Sequence, residues 1–235
     1  MFYPGLYFDP MYLVFALPAL LLALYAQFKV QSAYSKYSRT PNTRGVTGLE
    51  AAQQLLRANG LGHVSVEGAP GQLSDHYDPR RKVLRLSQGV AQSPSIAALG
   101  IVAHEVGHAV QDAQAYTPLR LRSGLVPVVT LGSWLGPIIF ILGILIGLTN
   151  LAWVGIVFFS GSVLFSLITL PVEWDASHRA LAMLRSYGLV SGQDLEGAKK
   201  VLSAAALTYV AAVAQAISTL LYYVFLLGGG RRRRG

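Results

Sequence analysis

Four stretches of the chain are almost continuously apolar, and each approaches or exceeds the length that crosses a bilayer. They cover residues 11–28 (MYLVFALPALLLALYAQF), 125–148, 151–170 and 204–227. The first lacks a basic n-region and a clear small-x-small cleavage site, so it reads as an uncleaved anchor. Only Thr149 and Asn150 separate the second from the third, which predicts an antiparallel hairpin. Gly132/Gly136 and Gly143/Gly147 put small residues four apart, a spacing that lets helices approach closely in lipid. Tyr222 and Tyr223 read as interfacial aromatics near the end of the last stretch.

Between the first and second stretches the pattern changes to that of a small α+β unit. TGLE (47–50) has capping-box spacing and precedes Ala51, Ala52, Leu55 and Leu56, with Gly60 as the stop, which predicts a helix. HVSVEG (63–68) alternates like a strand, with His63 on its surface, and residues 72–87 read as a hairpin turning at Asp78-Pro79. Asp75 and His76 are read as parts of that turn's hydrogen-bond network rather than as metal ligands. A further helix is expected near SPSIAALG, with Ser93 as cap and Pro94 in the first turn.

Composition agrees with the apolar pattern: 53% of residues are hydrophobic and 13% charged, with mean hydropathy +0.46, which argues against an ordinary soluble protein. Cysteine is absent, removing disulfides, thiol nucleophiles and cysteine-held zinc, so any metal must be held by His, Asp or Glu. The net charge of +8 includes the terminal RRRR, and most other basic residues flank apolar runs, a pattern of membrane orientation rather than nucleic-acid binding. Lys and Arg crowd residues 29–122 and are absent from the 148–151 turn, which predicts that the hydrophilic segment is cytoplasmic. The same rule conflicts with four spans at the carboxyl terminus, where the arginine run would be carried outside.

The candidate chemistry lies in VAHEVGHAV (102–110), a His-Glu-x-x-His motif. On the expected helix the apolar stripe is Ile96, Leu99, Ala103, Val106 and Val110, and His104 and His108 project well away from its middle. Two histidines one turn apart can converge on one zinc ion, with Glu105 beside them to take a proton from water. The alternative is a chance motif on an amphipathic helix, with both rings solvated or hydrogen-bonded. The hairpin brings the chain back at TLPVEWDASHRALAML (169–184), so Glu173 and Asp175 emerge on the side of the membrane where the histidines lie. Either carboxylate can serve as a third ligand, and Asp175 can instead pair with Arg179 at i+4.

In LSDHYDPRRKVLRLS, SIAALGIVAHEVGHAVQDAQAYTPLRLRS, TLPVEWDASHRAL and KKVLSAAALTYVAA, in that order and spacing, the chain resembles the bacterial membrane neutral zinc metallopeptidases of the YugP-like type. The resemblance covers nearly the whole chain. It implies one Zn²⁺ per chain, held by His104 and His108, with Glu105 as general base. PVEWDAS looks like the Glu-bearing helix of the related heat-shock and prenyl-protein membrane proteases, which makes Glu173 the implied third ligand. Ser177 stands where those relatives carry Asp, so the support of one histidine is expected to differ. His178 stands where the family pattern has Arg; Arg179, His178 and Tyr209 are the candidates for stabilising a developing oxyanion.

The expected fold is then a mainly α-helical integral membrane protein with four transmembrane helices and a small α+β, zincin-like cytoplasmic metallopeptidase domain. Its parts are an anchor at 1–30, the metallopeptidase domain at 31–122, a transmembrane hairpin at 123–172, a second cytoplasmic segment at 173–203, and a final span with the basic tail at 204–235. The expected function is an endopeptidase of the bacterial cytoplasmic membrane, its active site facing the cytoplasm. It would cleave peptides or membrane-associated proteins by zinc-activated water. Its partners are those substrates and the lipid bilayer, not nucleic acid, with a protein regulator or homo-oligomer left open. An extended substrate could pair with the edge of KVLRLS. A membrane adaptor or quality-control partner with a structural metal is the alternative, and uncharged spans argue against a transport path.

Overall fold

The structure is a computed structural model that describes residues 10–229, so the RRRR tail and the side of the membrane it occupies lie outside the described residues. Two compact units share the chain. One comprises the chain up to Tyr25, Leu121–Leu170 and the chain from Thr208; the other comprises Ala26–Arg120 and Pro171–Leu207.

Four helices, α1 (Pro10–Tyr37), α5 (Thr117–Leu145), α6 (Thr149–Ser186) and α7 (Gly192–Gly229), are long and apolar enough to cross a membrane. Leu24, Val128, Trp134 and Val157 are among many apolar side chains exposed on them, as suits a surface solvated by lipid. Within the apolar unit, α5 and the first part of α6 form the expected hairpin. A Cβ on Gly143 would stand 2.4 Å from the Ala152 nitrogen, and one on Gly155 2.4 Å from the Phe140 nitrogen, so only glycine permits this approach. Gly147 takes no part in it: its φ of +74° makes it the turn residue, with nothing near its hydrogens. Tyr222 and Tyr223 also pack helices together. Tyr223 stacks on Phe140 at 4.1 Å and Tyr222 meets Tyr12 edge-on at 5.1 Å.

The other unit holds the α+β elements. α2 (Gly48–Ala58) opens with the expected capping box: the Thr47 hydroxyl accepts from the Glu50 N–H, and Glu50 accepts from the Thr47 N–H. Its buried Ala51, Ala52, Leu55 and Leu56 pack in one core with Leu99, Val102 and Val106 of α4 (Ile96–Ala113). Strands β1 (Ser65–Ala69), β2 (His76–Asp78) and β3 (Val83–Ser87) form a sheet in the order β1-β3-β2. β2 and β3 are the expected hairpin, whose turn is held by the Arg80 and Arg81 N–H groups donating to Asp78. β1 joins β3 in parallel, from Ser65↔Val83 to Ala69↔Ser87. KVLRLS is therefore the central strand with both edges paired, and cannot receive a substrate strand.

The cap of α4 is Ser95, whose hydroxyl accepts from the Ala98 N–H, rather than Ser93. The Ser93 and Pro94 carbonyls instead accept from Gly48 and Asn42, which ties both residues into the connection before the helix. A four-residue helix α3 (Gln88–Ala91) precedes it. α6 runs without a break through Pro171, so PVEWDAS continues the third span's helix and is not a separate element. The first turn of α7 carries the buried Asp194, which accepts from the Thr43 N–H and hydroxyl and from the Ser191 N–H.

Candidate metal centre

α4 presents His104, His108 and Gln111 at i, i+4 and i+7, one face of the helix, and this face lies against α6. The approach depends on Gly107: a Cβ there would stand 2.7 Å from the Ala176 carbonyl oxygen. It brings Glu173, whose side chain is only 3% exposed, to both histidines. Glu173 Oε2 lies 3.2 Å from His104 Nε2 and 3.5 Å from His108 Nε2, and the two rings meet edge-on at 4.7 Å.

These distances can be tested against zinc. Donors about 2.0–2.2 Å from a tetrahedral zinc stand roughly 3.3–3.5 Å apart. The three donor atoms here lie within 4.8 Å of one another, the two measured nitrogen–oxygen separations fall close to that edge length, and two imidazoles with a carboxylate are a known donor set. The residues fit the metal. A buried carboxylate held against two imidazoles is a place for positive charge, supplied by a bound cation or by a protonated ring.

Each imidazole is held from behind. The Gln111 amide, fully buried, donates through Nε2 to the Val172 carbonyl and to Asp175, both at 2.8 Å. That fixes its Oε1 as the acceptor facing His108 Nδ1 at 3.0 Å, so His108 carries a proton on Nδ1 and Nε2 is the ring nitrogen that faces Glu173. His104 Nδ1 lies 3.2 Å from the Ser177 hydroxyl. Burial opposes a charge on His108, but its hydrogen bond with Glu173 and the charges of Glu105 and Glu173 outweigh that and raise its pKa in the absence of metal.

Glu105 points between α4 and the sheet, where its Oε2 accepts from the Tyr77 N–H of β2 at 3.0 Å. Burial pushes its carboxyl above the usual carboxylate range, the neighbouring Glu173 adds to the rise, and the two histidines and the Tyr77 N–H oppose it. The Tyr77 hydroxyl donates to Asp112 at 2.7 Å, and Lys82 pairs with the same carboxylate. β2 is thus tied to the motif helix at two points one strand residue supplies.

The remaining candidates take other positions. Asp175 faces Gln111 and Arg179 rather than the donor cluster; Arg179 donates to it from Nε at 2.5 Å and to Gln114 at 2.6 Å, and lies over the Tyr116 ring. Both ring nitrogens of the exposed His178 are engaged by Trp174, through its carbonyl at 2.8 Å and its indole N–H at 3.2 Å. Tyr209 lies on α7 within the apolar unit, one residue past Thr208 where that unit resumes. Asp75 accepts from the Ser87 N–H and hydroxyl, and His76 Nδ1 faces the Ser74 carbonyl, the network expected of a turn. Gln111, Gln114 and Asp112 were not singled out from the sequence, although Gln111 carried a usable signal: it continues the histidine face at i+3.

Putative membrane protease YugP of Bacillus subtilis (strain 168) is 46% identical over 211 residues, which cover 90% of this chain and 94% of that protein. No solved structure matches. The family described as "Putative neutral zinc metallopeptidase" matches residues 12–228, a range that takes in the histidine helix, Glu173 and the apolar helices, and this chain belongs to that family.

Proposed function

We propose that the protein is a zinc-dependent endopeptidase of the membrane, with His104, His108 and Glu173 holding the metal and Glu105 acting as general base. The observation that carries this reading is the convergence of three donor atoms from α4 and α6 beside a buried, separately anchored carboxylate. Zinc held there would polarise a peptide carbonyl and acidify a water. The chain's own part is to position and to move protons. Glu105, its carboxyl raised by burial and steadied by the Tyr77 N–H, accepts the proton of the attacking water and delivers it to the leaving amine. Gln111 and Ser177 keep the two imidazoles in one orientation. Arg179 is a positioning residue that holds Asp175, and through it Gln111, in place. The cytoplasmic orientation rests on the basic residues of 29–122, and the substrates are peptides or membrane-associated protein segments.

Glu105→Gln tests the reading. The variant should keep its zinc and lose proteolysis by about 10²–10⁴-fold, measured on unfolded protein substrates and by comparing membrane-protein amino termini in cells. Intact proteolysis in this variant would remove Glu105 as the general base, wild-type protein that binds no zinc would overturn the metallopeptidase reading, and zinc-loaded wild type without proteolysis would leave the membrane adaptor with a structural metal.

A further inference from the structure

Away from the candidate metal centre, α1 and α7 face each other across a groove in the α+β unit. Lys29, Ser32 and Lys36 line it from α1 at helical spacing, and Lys199, Lys200 and Ser203 line it from α7. Its volume is about 620 Å³, within the roughly 300–1,000 Å³ of small-molecule sites. Four ammonium groups drawn to one concavity repel one another, and Glu196 is the one carboxylate on its wall. Among the described residues no ion pair engages Lys36, Lys199, Lys200 or Glu196. Ammonium groups interleaved with hydroxyls are the chemistry that recognises a phosphate.

The ends of the groove differ. At one, Tyr37 closes against Gly197, where a Cβ would come within 2.9 Å of the ring. At the other, Lys29 directly follows Phe28, the last residue of the 11–28 apolar run and 66% exposed, while Ala204 and Leu207 on the opposite wall belong to the 204–227 run. A free phosphate would satisfy only the lysines and hydroxyls. A ligand with an anionic head and apolar tails matches both ends, the head against the lysines and the tails beside Phe28 and Leu207. We propose that this groove is a binding site for the phosphate headgroup of an anionic phospholipid.

The test is native mass spectrometry of the full chain in detergent, titrated with phosphatidylglycerol, acyl-matched phosphatidylcholine and inorganic phosphate. Wild-type protein should retain phosphatidylglycerol over phosphatidylcholine by roughly tenfold or more. Lys199→Gln/Lys200→Gln and, independently from the opposite wall, Lys29→Gln/Lys36→Gln should bring the two lipids to parity without lowering helical content. Arg80→Gln/Arg81→Gln, which removes equal charge from the β2–β3 turn, should keep the preference. Equal retention of both lipids by wild type, or selectivity unchanged in either folded lysine pair, overturns the proposal. Displacement of phosphatidylglycerol by millimolar inorganic phosphate overturns it too, in favour of a free-phosphate site. If one pair fails to fold, the other decides.

Discussion

Gly107 on α4 packs against the Ala176 carbonyl of α6, and Gly143 on α5 packs against the Ala152 backbone of the same helix. The steric device is the same; what surrounds it is not. Around Gly143 and Gly155 the contact is lined by Phe140, Ala152 and Ile156, and nothing polar depends on its register. Around Gly107 the contact aligns His104, His108 and Gln111 on one helix with Val172, Glu173, Asp175 and Ser177 on the other, through bonds of 2.8–3.2 Å. Close approach in the apolar hairpin contributes packing alone. In the α+β unit it also sets the spacing of donor atoms, so small displacements there should appear as lost chemistry before they appear as lost stability.

The comparison breaks most sharply at two buried polar residues one turn apart on α6. Glu173→Gln should reduce bound zinc far below one per chain and abolish proteolysis, measured by metal analysis of purified protein. Thr169→Val, which removes a buried hydroxyl that has no hydrogen-bond partner among the described residues, should leave both intact and be neutral or slightly stabilising. Similar effects from the two substitutions would show that burial, not chemistry, matters at Glu173. Next in size are the glycines. Gly107→Ala and Gly143→Ala should each cost about 1–3 kcal/mol of stability by overpacking, but only Gly107→Ala should lower zinc affinity in the protein that remains folded. Smallest are the groups behind the rings: Gln111→Ala should weaken zinc binding about 10–100-fold. Ser177→Ala, which removes a lone hydroxyl at 3.2 Å, should cost less, as competition with a chelating dye would measure.

Local signals in the sequence read through to the structure where the physics is local. The apolar runs, the Thr47–Glu50 cap and the Asp78 turn depend on residues a few positions apart, and each is present as expected. The histidine face followed from helical periodicity. What escaped was tertiary. β1 pairs with β3 in parallel across an intervening strand, which buried the proposed substrate edge, and no local pattern in HVSVEG encodes that choice. Ser93 is not the cap of α4 because the helix starts only at Ile96, which puts Ser95 in the capping position. The 151–170 run is expected to give way to a separate segment, yet α6 continues through Pro171, whose missing N–H a long helix tolerates. The choice between Glu173 and Asp175 could not be made from spacing, since both emerge together; the Gln111 amide separates them by engaging Asp175 and leaving Glu173 to the histidines.

The donor set of two imidazoles and a carboxylate, in a chain without a single cysteine, has a consequence for the protein's response to oxidative stress. Peroxide and disulfide exchange release zinc from thiolate sites by oxidising the sulfur that binds it. This donor set contains no sulfur, so the thiol oxidation that empties cysteine-held zinc sites has no counterpart in it. On the proposed reading, such a site would keep its metal through an oxidative insult that empties a thiolate site.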